Sequence, residues 1–173
     1  MTTFIIAALT ADGFIGKDST HSPLTWRSEG DRKFFIERTK QAGLAIMGLN
    51  TAKTSKRPLP GRRNIIYADN KDQLLHWQEY GEWEITQDNP KELLSRLKKD
   101  GHKEIAICGG ATIYTMFMEQ NLVDKLYLSI EPVLFGKGIT LFNKELDTKL
   151  QLKNVSKLGE QTILLEYNVL KLR

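Results

Sequence analysis

Only one of the 173 residues is cysteine, so no intramolecular disulfide can form and a cysteine-based metal cluster has no ligands. Cys108, between Ile107 and Gly109, sits where a small buried strand residue belongs, a poor setting for a nucleophile. Histidine is scarce too: His21, His76 and His102 all lie among polar residues in predicted loops or at element ends and read as solvated. The chain has no catalytic triad, no His-Glu-x-x-His and no paired carboxylates at metal spacing, so no metal is expected. No apolar run approaches the roughly 20 residues of a membrane span. Met1-Thr2-Thr3 enters an apolar run without the basic flank or cleavage region of a signal peptide, so the expected location is cytoplasmic.

Charge of one sign is not concentrated either. The 25 lysines and arginines against 21 acids leave a formal charge of +4, scattered along the chain, which argues against a nucleic-acid partner. A weakly positive field still favours a phosphorylated cofactor or polyanionic substrate. With 40% apolar and 27% charged residues the composition is that of an ordinary globular protein. The length suits one domain over residues 1–173, with no repeat, low-complexity tract or linker.

What is present is an alternation of strands and helices. Phe4 to Leu9, Leu44 to Gly48, Asn64 to Tyr67 and Glu104 to Ile107 are short apolar runs of buried-strand length. Gly30 to Gln41 has helical spacing, with Ser28 a plausible N-cap and Gly43 just past its end. Pro90 to Lys99 starts on proline and puts Leu93, Leu94 and Leu97 on one face, and Ala111 to Gln120 opens directly on Gly109-Gly110. Leu126 to Glu131 precedes two further strand-like runs, Leu150 to Leu158 and Thr162 to Leu170, that form a hairpin signature around Gly159-Glu160. The expected architecture is α/β: a mostly parallel central sheet closed by an antiparallel C-terminal strand pair, with helices on both faces.

Two strand ends are marked by glycine, at Met47-Gly48 and Cys108-Gly109-Gly110-Ala111, with the turn Arg57-Pro58-Leu59-Pro60-Gly61-Arg62 between them. A strand that stops at glycine and turns into a helix presents free backbone N–H groups to phosphate, and two such ends can hold a dinucleotide. The prolines stiffen the turn and aim Arg62 toward the sheet edge, where it can fork onto a carboxylate or phosphate. Asp31 lies in the first turn of a predicted helix and shares the stripe of Phe34 and Phe35. There it can accept hydrogen bonds from an amidine-like ring edge, or simply answer the helix dipole. Glu29, on the same turn, points away and reads as solvated.

Taken in order, Ile6-Ala7-Ala8, Gly13-Phe14-Ile15-Gly16, Leu24-Thr25-Trp26, Asp31 with Phe34-Phe35, Ile46-Met47-Gly48, Arg57 to Arg62 and Gly109-Gly110 resemble the dihydrofolate reductase family, as far as about Phe142. Gly109-Gly110-Ala111-Thr112, Val123 to Leu126 and Gly136 to Phe142 also resemble the reductase domain of riboflavin biosynthesis, of the same fold superfamily. The resemblance implies the three-layer dihydrofolate-reductase-like fold and hydride transfer from NADPH to 7,8-dihydrofolate. It implies Asp31 as the catalytic acid with Trp26 ordering a water beside it. Substrate contacts would come from Ile6, Ala7, Phe35, Leu59 and Arg62, the last pairing with the glutamate tail. Cofactor contacts would come from Ala8, Ile15, Gly16, Gly48, Asn50, Thr51, Cys108, Gly109, Gly110, Ala111, Thr112 and Tyr114. The loop from Lys17 to Pro23 matches one that closes over the nicotinamide.

The departures concern the cofactor. Leu49 stands where the family usually has an arginine for the adenosine 2′-phosphate, Asp69 where a small hydroxyl residue is common, and Thr112 where a basic or polar residue is common. Lys53, Lys56, Arg63 or Lys71 can replace the missing charge from another direction, so NADPH is the expectation and NADH stays open. The partner expected is a small-molecule substrate, with neither nucleic acid nor membrane, and oligomeric state is open. The rival readings are a pyrimidine reductase of riboflavin synthesis and a nucleotide-binding module without catalysis.

Overall fold

A computed structural model describes residues 1–81 and 83–171. Its strands are β1 (Thr2–Thr10), β2 (Phe14–Gly16), β3 (Leu44–Gly48), β4 (Arg63–Tyr67), β5 (Trp83–Thr86), β6 (Glu104–Ile107), β7 (Lys125–Glu131), β8 (Ile139–Thr140), β9 (Lys149–Lys157) and β10 (Ile163–Leu170). The helices are α1 (Glu29–Ala42), α2 (Leu49–Lys53), α3 (Pro90–Lys99) and α4 (Ala111–Glu119). Eight strands form one sheet in the order β5-β4-β3-β6-β1-β7-β10-β9, and β2 pairs separately with β8. The pairs from β5 through β7 are parallel, whereas β10 runs antiparallel to both β7 and β9.

The apolar runs are continuous because the central strands are covered on both faces. In β1, Ile5, Ala7 and Leu9 face a core built with Leu93 and Leu97 of α3 and Ile113 and Phe117 of α4. The alternate residues Phe4 and Ile6 face a second core with Phe34 and Phe35 of α1 and the buried Trp77. The mostly parallel sheet, the antiparallel end and the two helical layers are therefore as expected. The short strands β2, β5 and β8 had no separate expectation, because segments of a few residues show no periodicity, whereas α2 starts where the strand ending at Gly48 was expected to turn into a helix.

Capping follows the local chemistry. Ser28 Oγ accepts a hydrogen bond from Asp31 N at 3.1 Å, and Gly43 closes α1 in the left-handed region at φ 73°. Asn89 caps α3, its side chain accepting from Lys91 N at 3.0 Å, with Pro90 in the first turn.

The start of α1 is also held from a distance. The buried Glu131 carboxylate at the end of β7 accepts from Ser28 N (2.9 Å), Ser28 Oγ (3.0 Å) and Thr162 Oγ1 (2.8 Å). Leu158, just past β9, lies so near Gly30 that a Cβ there would stand 1.6 Å from the Leu158 carbonyl oxygen. Glycine is required for that approach. Among the described residues no helix is long and apolar enough to cross a membrane.

Candidate active site

A cavity of about 750 Å³ opens at the carboxyl ends of β1, β3, β4 and β6, where ligands of open α/β sheets bind. Ile6, Ala7 and Ala8 of β1 line it, with Phe35 of α1 and Ile15 and Gly16 of β2. Gly48, Asn50 and Thr51 join from the turn into α2, and Cys108 to Thr112 with Tyr114 from the turn into α4. Every residue singled out for cofactor contact therefore faces one cavity. Of those singled out for substrate or catalysis, Ile6, Ala7 and Phe35 face it, and Asp31, Trp26, Leu59 and Arg62 do not.

The glycines let backbone come close. Gly109 has φ 116°, and a Cβ there would lie 3.1 Å from Tyr114 Oη; a Cβ at Gly48 would lie 3.0 Å from Ile113 Cγ1. The Gly109–Gly110 peptide is cis. No side chain caps α4, whose first N–H groups are the unpaired donors that suit phosphate. Tyr114 donates its hydroxyl to Ile6 O at 2.9 Å and so ties α4 to β1 beneath the cavity. Burial pushes its hydroxyl pKa well up and that of the Cys108 thiol up to about 12, so both stay neutral.

Asp31 is 2% exposed and stands behind Arg27. Arg27 Nε lies 2.9 Å from Asp31 Oδ2, an ion pair without the alignment of a hydrogen bond. The Arg27 guanidinium sits 5.2 Å from the Phe35 ring centroid, and it lines the cavity that Asp31 does not. Desolvation raises the Asp31 pKa above its ordinary value, opposed by Arg27 and by the Ser129 hydroxyl and reinforced by Glu131. Trp26 packs edge-on against Phe135, with centroids 5.4 Å apart, and its buried indole Nε1 has no hydrogen-bond partner among the described residues.

Arg62 is 3% exposed, and its guanidinium is turned inward. It donates to Pro60 O at 3.0 and 3.2 Å, to Ile36 O at 3.3 Å and to Thr39 Oγ1. These bonds fasten the proline turn to α1, and Leu59 packs with the core on that face. His21 differs from the solvated setting expected of it: it is half-buried and lines the cavity, with Nδ1 accepting from Lys17 N at 3.2 Å and its ring tilted against Phe135. Glu29 is exposed, as expected.

The residue that sequence reasoning passed over is Arg27. Its signal was available, a base four positions before the acid on the approach to a helix, but only the fold shows that Arg27 screens Asp31 from the cavity.

A family model described as dihydrofolate reductase matches residues 2–157. A dihydrofolate reductase type 3 of Salmonella typhimurium is 32% identical over 126 residues, covering 72% of this chain and 68% of its own. A pyrimidine reductase-like protein of Corynebacterium diphtheriae superposes with a TM-score of 0.74 at 21% identity, covering 98% of this chain and 92% of that one. A Thermotoga maritima diaminohydroxyphosphoribosylaminopyrimidine deaminase/5-amino-6-(5-phosphoribosylamino)uracil reductase superposes with a TM-score of 0.75 at 15% identity, covering 98% of this chain and 56% of that one.

Proposed function

This chain belongs to the dihydrofolate reductase family, and on that premise we propose that it is a nicotinamide-dependent reductase of a heterocycle presenting oxygen acceptors, of the pyrimidinedione type. The observation that carries this reading is the Arg27–Asp31 pair at 2.9 Å. A carboxylate that recognises the amidine edge of a pterin must be free to accept its N–H groups. Here the carboxylate already has a cation beside it, and separating a buried pair leaves an uncompensated charge. What faces the cavity is instead a guanidinium whose terminal N–H groups make no hydrogen bond among the described residues. Such a fork matches carbonyl oxygens or phosphate.

The glycine turns fit the dinucleotide. Their absent side chains leave room that a Cβ would fill at Gly48 and Gly109. The uncapped start of α4 would hold the pyrophosphate, and Ala7, Ala8, Ile15 and Tyr114 would wall the nicotinamide, which supplies a hydride when bound. Arg27 orients the acceptor and balances negative charge on it. The loop from residue 17 to 23, held against Phe135 by His21, narrows the mouth and limits water.

Dihydrofolate is the second reading. It is favoured by the family match and by a buried Asp31 whose partner Arg27 packs on the cavity-lining Phe35, and it requires Arg27 to swing away. Nicotinamide oxidation followed by absorbance with each substrate separates them. The expected result is turnover of the ribosylaminopyrimidine phosphate and slow or no turnover of dihydrofolate. Arg27→Met should lower kcat/KM for the pyrimidine about 10- to 150-fold, the loss of a charge-assisted contact of about 1.5–3 kcal/mol. Efficient turnover of dihydrofolate that survives Arg27→Met would assign the folate substrate instead.

A further inference from the structure

The cavity has two ends of different charge. At the Arg27 end, α1 faces β7, whose Glu131 binds Ser28. The opposite end lies beyond β3 and β4, at Leu49, Thr51, Tyr67 and Asp69. Between β7 and β4 the sheet order interposes β1, β6 and β3, a separation of about 19 Å at roughly 4.8 Å per strand. Gly109-Gly110, following β6, stands between the ends. A dinucleotide with its pyrophosphate on Gly109-Gly110 and its nicotinamide near Ile6, Ala7 and Arg27 therefore puts its adenosine at Leu49 and Asp69.

That far end carries negative charge. Asp69 is exposed; its backbone oxygen accepts from Gln87 Nε2 at 3.2 Å, and its carboxylate has no partner among the described residues. Leu49 is apolar. Arg63 begins β4 at the end of the strand away from the cavity and pairs there with Glu84 and Asp100, at 3.1 Å each; Lys53 donates to the neutral Gln73 Oε1 at 3.3 Å, and Lys71 lies 5.6 Å from the Trp83 ring centroid. Neither these nor Lys56 line the cavity, and among the described residues Arg27 is its one lysine or arginine.

Resting on the nicotinamide reading above, we infer that the site selects NADH over its 2′-phosphorylated counterpart, with Asp69 as the discriminating residue. A free ribose 2′-hydroxyl donates to a carboxylate, whereas a 2′-phosphate placed beside one meets repulsion, and among the described residues no lysine or arginine lines the cavity at that end.

Calorimetric titration of the full chain with NADH and with NADPH, without substrate, tests this. NADH should bind at least about tenfold more tightly. Asp69→Ser should weaken NADH, strengthen NADPH and close most of that gap, and Leu49→Arg should move the ratio the same way. Asp69 is exposed, so a thermal melt of each variant matching the parent confirms that folding is intact. Equal or tighter binding of NADPH by the parent would overturn the inference and leave the reductase reading standing, as would a ratio unmoved by Asp69→Ser. Binding of neither dinucleotide would overturn both.

Discussion

At the residue scale the decisive arrangement is a carboxylate with a guanidinium between it and the cavity. Burial disfavours ionised Asp31, and Arg27 and Ser129 recover only part of that cost, so the carboxyl should titrate above the usual aspartate value of about 3.9. Arg27→Met removes a group that lowers this pKa, and a carbon-detected NMR titration should find the Asp31 midpoint displaced further upward. The stability consequence has a definite sign. Because the folded-state pKa lies above the unfolded one, the group's stabilising contribution is complete below the unfolded pKa and is lost as pH rises through the folded one. Denaturation midpoints of Arg27→Met should therefore fall more steeply with rising pH than those of the parent, and a midpoint for Asp31 at or below the ordinary value would remove the basis for both statements. Arg62 carries a related lesson: its guanidinium serves backbone carbonyls and a threonine, which makes the proline turn part of the scaffold of α1.

At the element scale, the start of α1 is where the functional groups are set. Ser28 caps it, Glu131 holds Ser28 from β7, and the hairpin of β9 and β10 closes over Gly30. Gly30→Ala would drive a methyl group into the Leu158 carbonyl, which cannot retreat without moving the hairpin. Overpacking of this kind costs about 1–3 kcal/mol or more. Chemical denaturation should register that loss, and the displaced helix start should shift the Trp26 fluorescence as well. Stability equal to the parent would mean that the hairpin yields freely at this point.

At the scale of the whole molecule, a cavity spanning the carboxyl ends of four parallel strands would couple binding of the proposed cofactor to the stability of the entire sheet. A ligand at about 100 times its Kd adds about 2.7 kcal/mol. For a domain of this size that corresponds to about 5–10 °C in Tm. A melt with saturating NADH should show such a rise, and one at the same concentration of NADPH a smaller rise. No rise with either would indicate that the glycine turns do not hold a dinucleotide.

Much of this was legible beforehand because it depends on neighbours along the chain. Strand length, helical periodicity, Ser28 and Gly43 at the ends of α1, Asn89 before Pro90, and glycine at the ends of β3 and after β6 are all local patterns, and they marked both the parallel sheet and the residues around its cavity. The direction of a long charged side chain is a different kind of quantity. Arginine has several open rotamers, and its partner is chosen by whatever distant elements bring within reach. Thus Arg62, expected to face a substrate, turns to Pro60 and Ile36, while Arg27 comes to stand over Asp31. Arg63 likewise finds Glu84 and Asp100 through the packing of β4 against β5 and α3, at the end of the sheet away from the cavity. Local order in the chain specified the scaffold and the position of its cavity; the charges that face that cavity were decided by contacts between residues far apart in sequence.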